Sequence, residues 1–210
     1  MDDFLPFPSR QYFIMLLLLL IARGMDMLST RVATPNLVLE GNPIAKALGW
    51  RWGLPINIAI SALLAFWMLP AIVISTTSVL VAARNFQSAW LMRSLGEHAY
   101  RDWYLQRVQE TRVTLYLFCL AGNTLLTAAV GATVIYFSTS VILFAIGIGI
   151  IAYAGAVAFY TLLALWRIRR VALRQMHRAS LSTWQEESNG SRGGELAALS
   201  VRDAAQLGGK

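Results

Sequence analysis

The chain has 210 residues, of which 57% are hydrophobic and only 14% are charged, and its mean hydropathy is +0.54. A soluble domain carries about 25% charged residues, so this balance excludes a disordered chain, a collagen and an ordinary soluble enzyme. The single cysteine, Cys119, excludes a disulfide framework and a cysteine-clustered metal site. The formal net charge of +7 comes without any nucleic-acid-binding motif. We therefore predict an all-α, multi-pass membrane protein with no cofactor.

The first predicted span covers residues 11–34. Its apolar run from Tyr12 to Ala22 is shorter than the roughly 20 residues that a crossing needs. Such a run following Arg10 is also typical of a signal peptide. No small-residue cleavage site follows it, so an uncleaved helix with a polar second half is the favoured interpretation and a cleaved signal is the alternative.

Ionisable residues within the first span are unusual, because a charge inside a bilayer is costly and normally has a partner. Arg23 and Asp26 are three residues apart, which predicts an ion pair on one face of the helix. Ser29 and Thr30 follow Asp26 by three and four residues and lie on the same side. This end of the span is therefore predicted to be polar.

The connection after the first span carries a strong helix-start signal. Asn42 is predicted to cap a short helix that begins at Pro43 and ends at Gly49, and a second span is predicted over residues 54–82. Asn57 lies just inside that span. The residues expected to converge in one polar site near the outer membrane surface are Asp26, Thr30, Glu40, Asn42 and Asn57.

Three interpretations of this polar set are open. Asp26 can simply neutralise Arg23 while Glu40 fastens the loop that Asn42 caps. Carboxylate and amide oxygens can also bind a hard cation, although no metal site is predicted with confidence. Thirdly, Asp26 and Glu40 can serve as a general acid and base if their environments differ.

The same residues carry a resemblance over roughly residues 12–80. The pattern that carries it runs Asp26-x-x-Ser29-Thr30, Glu40-Gly41-Asn42-Pro43 and then Leu48-Gly49. It resembles a family of small prokaryotic membrane proteins that is classed as a domain of unknown function. The resemblance implies a site at the aspartate, threonine, glutamate and asparagine but names no reaction, and Arg23 is not part of the family pattern.

The rest of the chain predicts two more spans and a surface helix. The uncharged stretch 113–166 would be about 80 Å long as one helix, so it must fold back, and we place the turn at Ser138–Ser140. This gives spans over 113–136 and 141–166. The segment 97–111 places aromatic residues at helical spacing and is predicted to be an interfacial helix. The last span also has a small-residue surface suited to close packing, formed by Gly147, Gly149, Ala152, Gly155 and Ala156.

Arginines beyond the last span and in 84–112 determine the predicted orientation. Cytoplasmic loops are enriched in Lys and Arg, so four spans place 84–112 and both termini in the cytoplasm of a prokaryotic inner membrane. The domain is predicted to cover 1–179 and to be followed by a flexible cytoplasmic tail over 180–210. The residues expected to contact anionic lipid headgroups are Arg167, Arg169, Arg170 and Arg174.

These features favour a non-enzymatic membrane component that binds or assembles with something. Its expected partners are the anionic bilayer surface and either a second copy through the last span or another membrane protein. An intramembrane enzyme or cation-binding protein that uses Asp26 and Glu40 is the alternative function.

Overall fold

The computed structural model describes residues 3–170, and the regular structure in that range is helical apart from one isolated bridge between Phe4 and Trp67. The all-α prediction is confirmed. Four helices of the described range are long and apolar enough to cross a membrane, namely Arg10–Ala33, Met68–Leu95, Val113–Tyr136 and Val141–Arg170. The helices are α1 Arg10–Ala33, α2 Pro43–Leu64, α3 Met68–Leu95, α4 Glu97–Glu110, α5 Val113–Tyr136 and α6 Val141–Arg170.

Two helices, α2 and α3, occupy the region in which a single span was expected over residues 54–82. α2 ends at Leu64 and α3 begins at Met68, with Trp67 in an extended conformation between them. Pro70 lies in the first turn of α3, where a missing N–H breaks no hydrogen bond within the helix. The short helix expected to end at Gly49 continues as α2 past a kink, where Gly49 has a φ of +60° that favours glycine.

The amino-terminal segment explains the break between α2 and α3. Leu5 N–H donates to the Phe66 carbonyl at 2.7 Å, and Met68 N–H donates to the Asp3 carbonyl at 3.1 Å. The Asp3 carboxylate also accepts from Leu69 N–H, at 3.0 and 3.1 Å to its two oxygens. Asp3 thus caps α3, whose own N-cap Trp67 provides no side-chain bond. This distant cap stabilises a helix start that local sequence does not mark.

Helices α1 and α3 run parallel, side by side. Near their middles Arg23 contacts Ser78, and further along Asn85 contacts Thr30. Beyond their ends, Glu97 accepts hydrogen bonds from the residues that follow α1. We call the end where α1 and α3 begin the amino-terminal end of the bundle, and the opposite end the α4 end.

Helix α2 runs back along α1 in the opposite direction. Trp50 Nε1 donates to the Pro35 carbonyl at 2.8 Å at the α4 end. Tyr12 Oη donates to the Ala62 carbonyl at 3.2 Å at the amino-terminal end, where Tyr12 is buried in a core cluster. The two contacts show that the part of α2 beyond its kink spans most of the length of α1.

Close glycine contacts place α6 beside both α5 and α3. A Cβ added at Gly131 of α5 would lie 2.8 Å from the Gly147 carbonyl oxygen, and one at Gly149 would lie 2.7 Å from Cβ of Thr76 on α3. The hydroxyl of Thr77 donates to the Gly149 carbonyl at 3.1 Å. The predicted small-residue surface of α6 is therefore used inside the chain at these two glycines.

Helix α4 packs its aromatic side chains together at the α4 end. The rings of Tyr100 and Tyr104 are stacked with centroids 6.4 Å apart, and Val108 is buried. The hydroxyls of Tyr104 and Tyr116 are 3.0 Å apart, which ties α4 to the first turn of α5. Burial is the main reason that the pKa of Tyr104 rises above its ordinary value. The helix covers nearly the range that the aromatic spacing predicts.

Candidate functional site

Within residues 3–170, a polar network that joins three helices is centred on Arg23. Its Nε donates to Asn57 Oδ1 at 2.9 Å, and its Nη2 donates to the same oxygen. Its Nη1 donates to Asp26 Oδ2 at 3.2 Å and to Ser78 Oγ at 3.4 Å. We call these four residues the Arg23 cluster. It joins α1, α2 and α3, and it contains the ion pair that the i,i+3 spacing predicts.

Thr30 belongs to a neighbouring contact and not to the Arg23 cluster. The Asn85 side-chain amide on α3 donates to Ser29 Oγ at 3.3 Å and to Thr30 Oγ1 at 3.2 Å. Ser29 in turn donates to the Asp26 carbonyl at 2.8 Å. Asn85 lies beyond the end of the span expected over 54–82, which is why its part in holding α1 against α3 was not predicted.

The side chains of Glu40 and Asn42 accept hydrogen bonds from nearby backbone N–H groups, in the α1–α2 loop and at the start of α2. Asn42 N–H donates to Glu40 Oε1 at 2.7 Å, and Ile44 N–H donates to Asn42 Oδ1 at 3.0 Å. Pro43 occupies the first turn of α2, as the Asn-Pro signal predicts. Within residues 3–170 neither side chain hydrogen-bonds to the Arg23 cluster. The five residues of the expected polar site therefore form three separate sets of contacts.

A buried carboxylate that sequence reasoning missed lies at the start of α4. Glu97 Oε1 accepts from the backbone and side-chain nitrogens of Asn36, at 2.9 and 3.2 Å. Its Oε2 accepts from Thr34 Oγ1 at 2.9 Å and from Val38 N–H at 3.2 Å. We call this set the Glu97 latch. It joins the α1–α2 loop to the α3–α4 junction, and only the position of Glu97 at a helix start hinted at it.

The Glu97 latch favours the ionised form of its carboxylate. Burial opposes ionisation, but hydrogen bonds from Asn36, Thr34 and Val38 together outweigh it and hold the pKa of Glu97 below its ordinary value of 4.5. Four donors around one carboxylate satisfy both oxygens. The latch is therefore suited to fixing two loops against one another.

The described residues offer few ligands for a metal ion at the predicted polar site. Within residues 3–170, no three His, Cys, Asp or Glu side chains lie close enough to hold a metal ion together. A cation at Asp26 would have to take its other ligands from amide and hydroxyl oxygens such as Asn57 Oδ1, which Arg23 already occupies. The geometry of the Arg23 cluster is suited to joining helices.

The arginines expected to contact headgroups are described only in part. Arg167, Arg169 and Arg170 lie in the last turns of α6, and the Arg170 guanidinium lies 5.0 Å from the centroid of the Trp166 ring. An arginine stacked on tryptophan is typical of a membrane interface. Arg174 and the tail over 180–210 lie outside the described residues.

Comparison with known proteins adds no assignment for this site. No protein-family model matches the chain, and no curated protein or solved structure is similar to it.

Proposed function

We propose that the chain is a non-enzymatic binding or assembly component of a prokaryotic cytoplasmic membrane. The observation that supports this proposal best is the Arg23 cluster. The charge of Arg23 is balanced by Asp26, and its donors contact side chains of α2 and α3. A polar network used in this way stabilises the packing of helices in lipid and needs no substrate to explain it. The resemblance of residues 12–80 to a family of small membrane proteins stays a prediction.

The parallel arrangement of α1 and α3 leads us to infer five membrane crossings. If both helices cross, the chain must return between them, and α2 is the segment that does so. Its part from Trp50 to Leu64 is about 21 Å long, which is short for a hydrocarbon core of about 30 Å. A short span is accommodated by local thinning of the bilayer. Exposed apolar side chains such as Ile58 and Leu63 suit α2 to contact with lipid.

The distribution of charge then favours an amino terminus outside and an α4 end inside the cell. In the described residues the amino-terminal end carries one basic residue, Arg10, and the turn after α5 carries none. Cytoplasmic loops are the ones enriched in Lys and Arg. This proposal places the polar residues of the α1–α2 loop at the cytoplasmic side, whereas the four-span arrangement puts them outside. The basic residues at the α4 end are Arg31, Lys46, Arg51, Arg93, Arg101, Arg107 and Arg112.

An anionic bilayer surface is the partner that this charge distribution favours. Each Lys or Arg near a cytoplasmic leaflet contributes about 1 kcal/mol of attraction to anionic lipids. The homo-oligomer or membrane-protein partner expected through the last span stays a prediction. Gly147 and Gly149 do not support that route, because they already face α5 and α3.

One observation favours the alternative function, a cation-binding protein or an intramembrane enzyme. Asp26 Oδ1 accepts no hydrogen bond from the described residues, and the Asp26 side chain is 20% exposed. Glu40 likewise uses one oxygen within the loop. These two free oxygens are what a cation or a substrate proton would have to use.

Thermal melts of the full detergent-solubilised chain distinguish the two functions. We expect millimolar Mg²⁺ or Ca²⁺ to shift the melting temperature of the wild type, Asp26→Asn and Glu40→Gln equally. Glu110→Gln, at an exposed surface pair, is the matched control. A cation-dependent rise that occurs in the wild type and the control but not in the two test variants would support the alternative instead.

A further inference from the structure

An open cavity of about 430 Å³ lies between α3, α5 and α6, away from the Arg23 cluster. It forms where α6 separates the other two helices, since α6 packs against both through its glycines. One wall is apolar, and the other side chains carry hydrogen-bonding groups. The cavity is lined by Leu80, Ala83, Arg84, Gln87, Asn123 and Tyr153.

The four polar side chains of this cavity are available to a ligand. Within residues 3–170, the side chains of Arg84, Gln87, Asn123 and Tyr153 form no hydrogen bond and no ion pair with the protein, whereas the Arg23 side chain donates to Asn57, Asp26 and Ser78. In lipid an unsatisfied polar group is costly, and an arginine without a partner is more so. Four such groups converging on one space indicate a polar ligand.

The depth of each group matches the order of polar atoms in a phospholipid. Arg84 lies about 24 Å along α3 from Met68, so it is near the α4 edge of a hydrocarbon core of about 30 Å. Tyr153 lies only about 18 Å along α6 from Val141 and is therefore deeper. A phospholipid places its phosphate outermost, its ester carbonyls below the phosphate and its acyl chains deepest. Arg84 is thus level with a phosphate, and Tyr153 is level with the ester groups.

We propose that this cavity binds one anionic glycerophospholipid, with Arg84 and Gln87 on the phosphate and with Asn123 and Tyr153 on the glycerol ester region. The apolar wall at Leu80 then contacts an acyl chain. Arg84 is the charged residue among those that line the cavity, and a planar guanidinium suits the two oxygens of a phosphate. The inference rests on the proposed function as a binding component, and it adds a specific site to the general attraction of the α4 end for anionic lipid.

Lipid titration of the delipidated full chain in detergent tests the site. We expect phosphatidylglycerol to raise the melting temperature with a half-saturating concentration at least about fivefold lower for the wild type than for Arg84→Gln. Asn123→Leu should weaken the effect in the same direction while keeping the charge. Both residues are exposed to the cavity, so we expect both variants to melt like the wild type before lipid is added. Arg10→Gln, an exposed arginine at the amino-terminal end of the bundle, is the matched control and should titrate like the wild type. Arg93→Gln, an exposed arginine further along α3, removes one charge of the general attraction and should weaken the effect clearly less than Arg84→Gln does.

Each other outcome has a definite meaning. Equal titration of the wild type, Arg84→Gln and Asn123→Leu would overturn the site. Equal weakening of Arg84→Gln and Arg93→Gln, with Asn123→Leu unchanged, would also overturn the site and would leave only the general attraction to an anionic surface. A comparable shift with inorganic phosphate alone would overturn the lipid assignment in favour of a free anion. A comparable shift with phosphatidylcholine would overturn the preference for an anionic headgroup.

Discussion

Two charged residues in the described chain are held by four hydrogen bonds each, and they differ in what surrounds them. Arg23 lies among three helices with its side chain 32% exposed, and the carboxylate of Asp26 balances its charge. Glu97 lies at the α4 end, where two backbone N–H groups, one side-chain amide and one hydroxyl donate to its carboxylate. Both join segments that are far apart in sequence. Each charge is therefore a point at which one substitution loosens several elements together.

Replacing Arg23 by Gln should destabilise the folded chain. The shorter side chain cannot reach Asn57, Asp26 and Ser78 together, and it leaves the Asp26 carboxylate without its cation. We expect a loss of about 1.5–3 kcal/mol, the range for hydrogen bonds to a charged group, in unfolding of the detergent-solubilised chain. The double variant Arg23→Gln/Asp26→Asn should recover part of that loss, because the unpaired charge is removed. Arg93→Gln should stay within about 0.5 kcal/mol, and a similarly small effect of Arg23→Gln would contradict the role of the cluster.

Glu97 should give the stability a specific dependence on pH. Its folded-state pKa lies below the ordinary 4.5, so its ionised form contributes stability above pH 4.5, and this contribution is lost as the pH falls through the lowered folded-state pKa. We expect Glu97→Gln to melt below the wild type at pH 7, since an amide nitrogen would face N–H donors. The difference in melting temperature between the wild type and Glu97→Gln should narrow as the pH falls below 4.5.

The control for this pH effect is Glu110→Gln, in which the lost carboxylate belongs to an exposed pair with Arg107. An exposed pair contributes between zero and about 1 kcal/mol, so its loss should matter little at any pH. A gap between wild type and Glu97→Gln that stays constant from pH 7 to pH 3 would show that the latch does not depend on the ionised carboxylate.

At the scale of elements, the sequence predicts some helix caps and helix–helix contacts better than others. Asn42 and Pro43 start α2 as their local chemistry predicts, because an N-cap needs only its own neighbours in sequence. The start of α3 at Met68 was not predictable in this way, since its cap is Asp3, which lies 66 residues before the Leu69 N–H that it binds. The glycines of α6 predicted close packing in general. They could not indicate that Gly149 faces α3 and Gly147 faces α5.

The glycine contacts predict opposite effects for the same substitution along α6. A Cβ at Gly149 would lie 2.7 Å from Cβ of Thr76 and 2.9 Å from a backbone carbonyl, so Gly149→Ala should cost about 1–3 kcal/mol through overpacking. Nothing lies within 4 Å of a Cβ at Gly155, so Gly155→Ala should be neutral or gain up to about 1 kcal/mol from helix propensity. Unfolding of both variants in detergent measures the difference. Equal stability would mean that α6 does not pack on α3 through this glycine.

At the scale of the whole molecule, hydropathy predicted the class of protein and not the path of the chain. Four helices are apolar enough to be recognised, but α2 contains Arg51, Pro55 and Asn57, which lower its hydropathy. Four spans with both termini inside follow the charge rule except at Lys46 and Arg51, which they leave outside, whereas five spans with the amino terminus outside place these two residues inside. Only contacts such as Glu97 with Asn36, which depend on the folded chain, show that α1 and α3 are parallel.

Cysteine labelling in intact bacterial cells decides between these two arrangements. In a Cys119→Ser background, single cysteines replace Phe7, Ser94 and Thr139, which are all exposed. With five crossings, a membrane-impermeant maleimide should label positions 7 and 139 in intact cells and position 94 only after permeabilisation. With four crossings, position 7 should behave like position 94. The Cys119→Ser chain alone is the unlabelled control, and position 139 confirms access from outside in both arrangements. Labelling at position 7 therefore determines on which side of the membrane the polar loop after α1 lies.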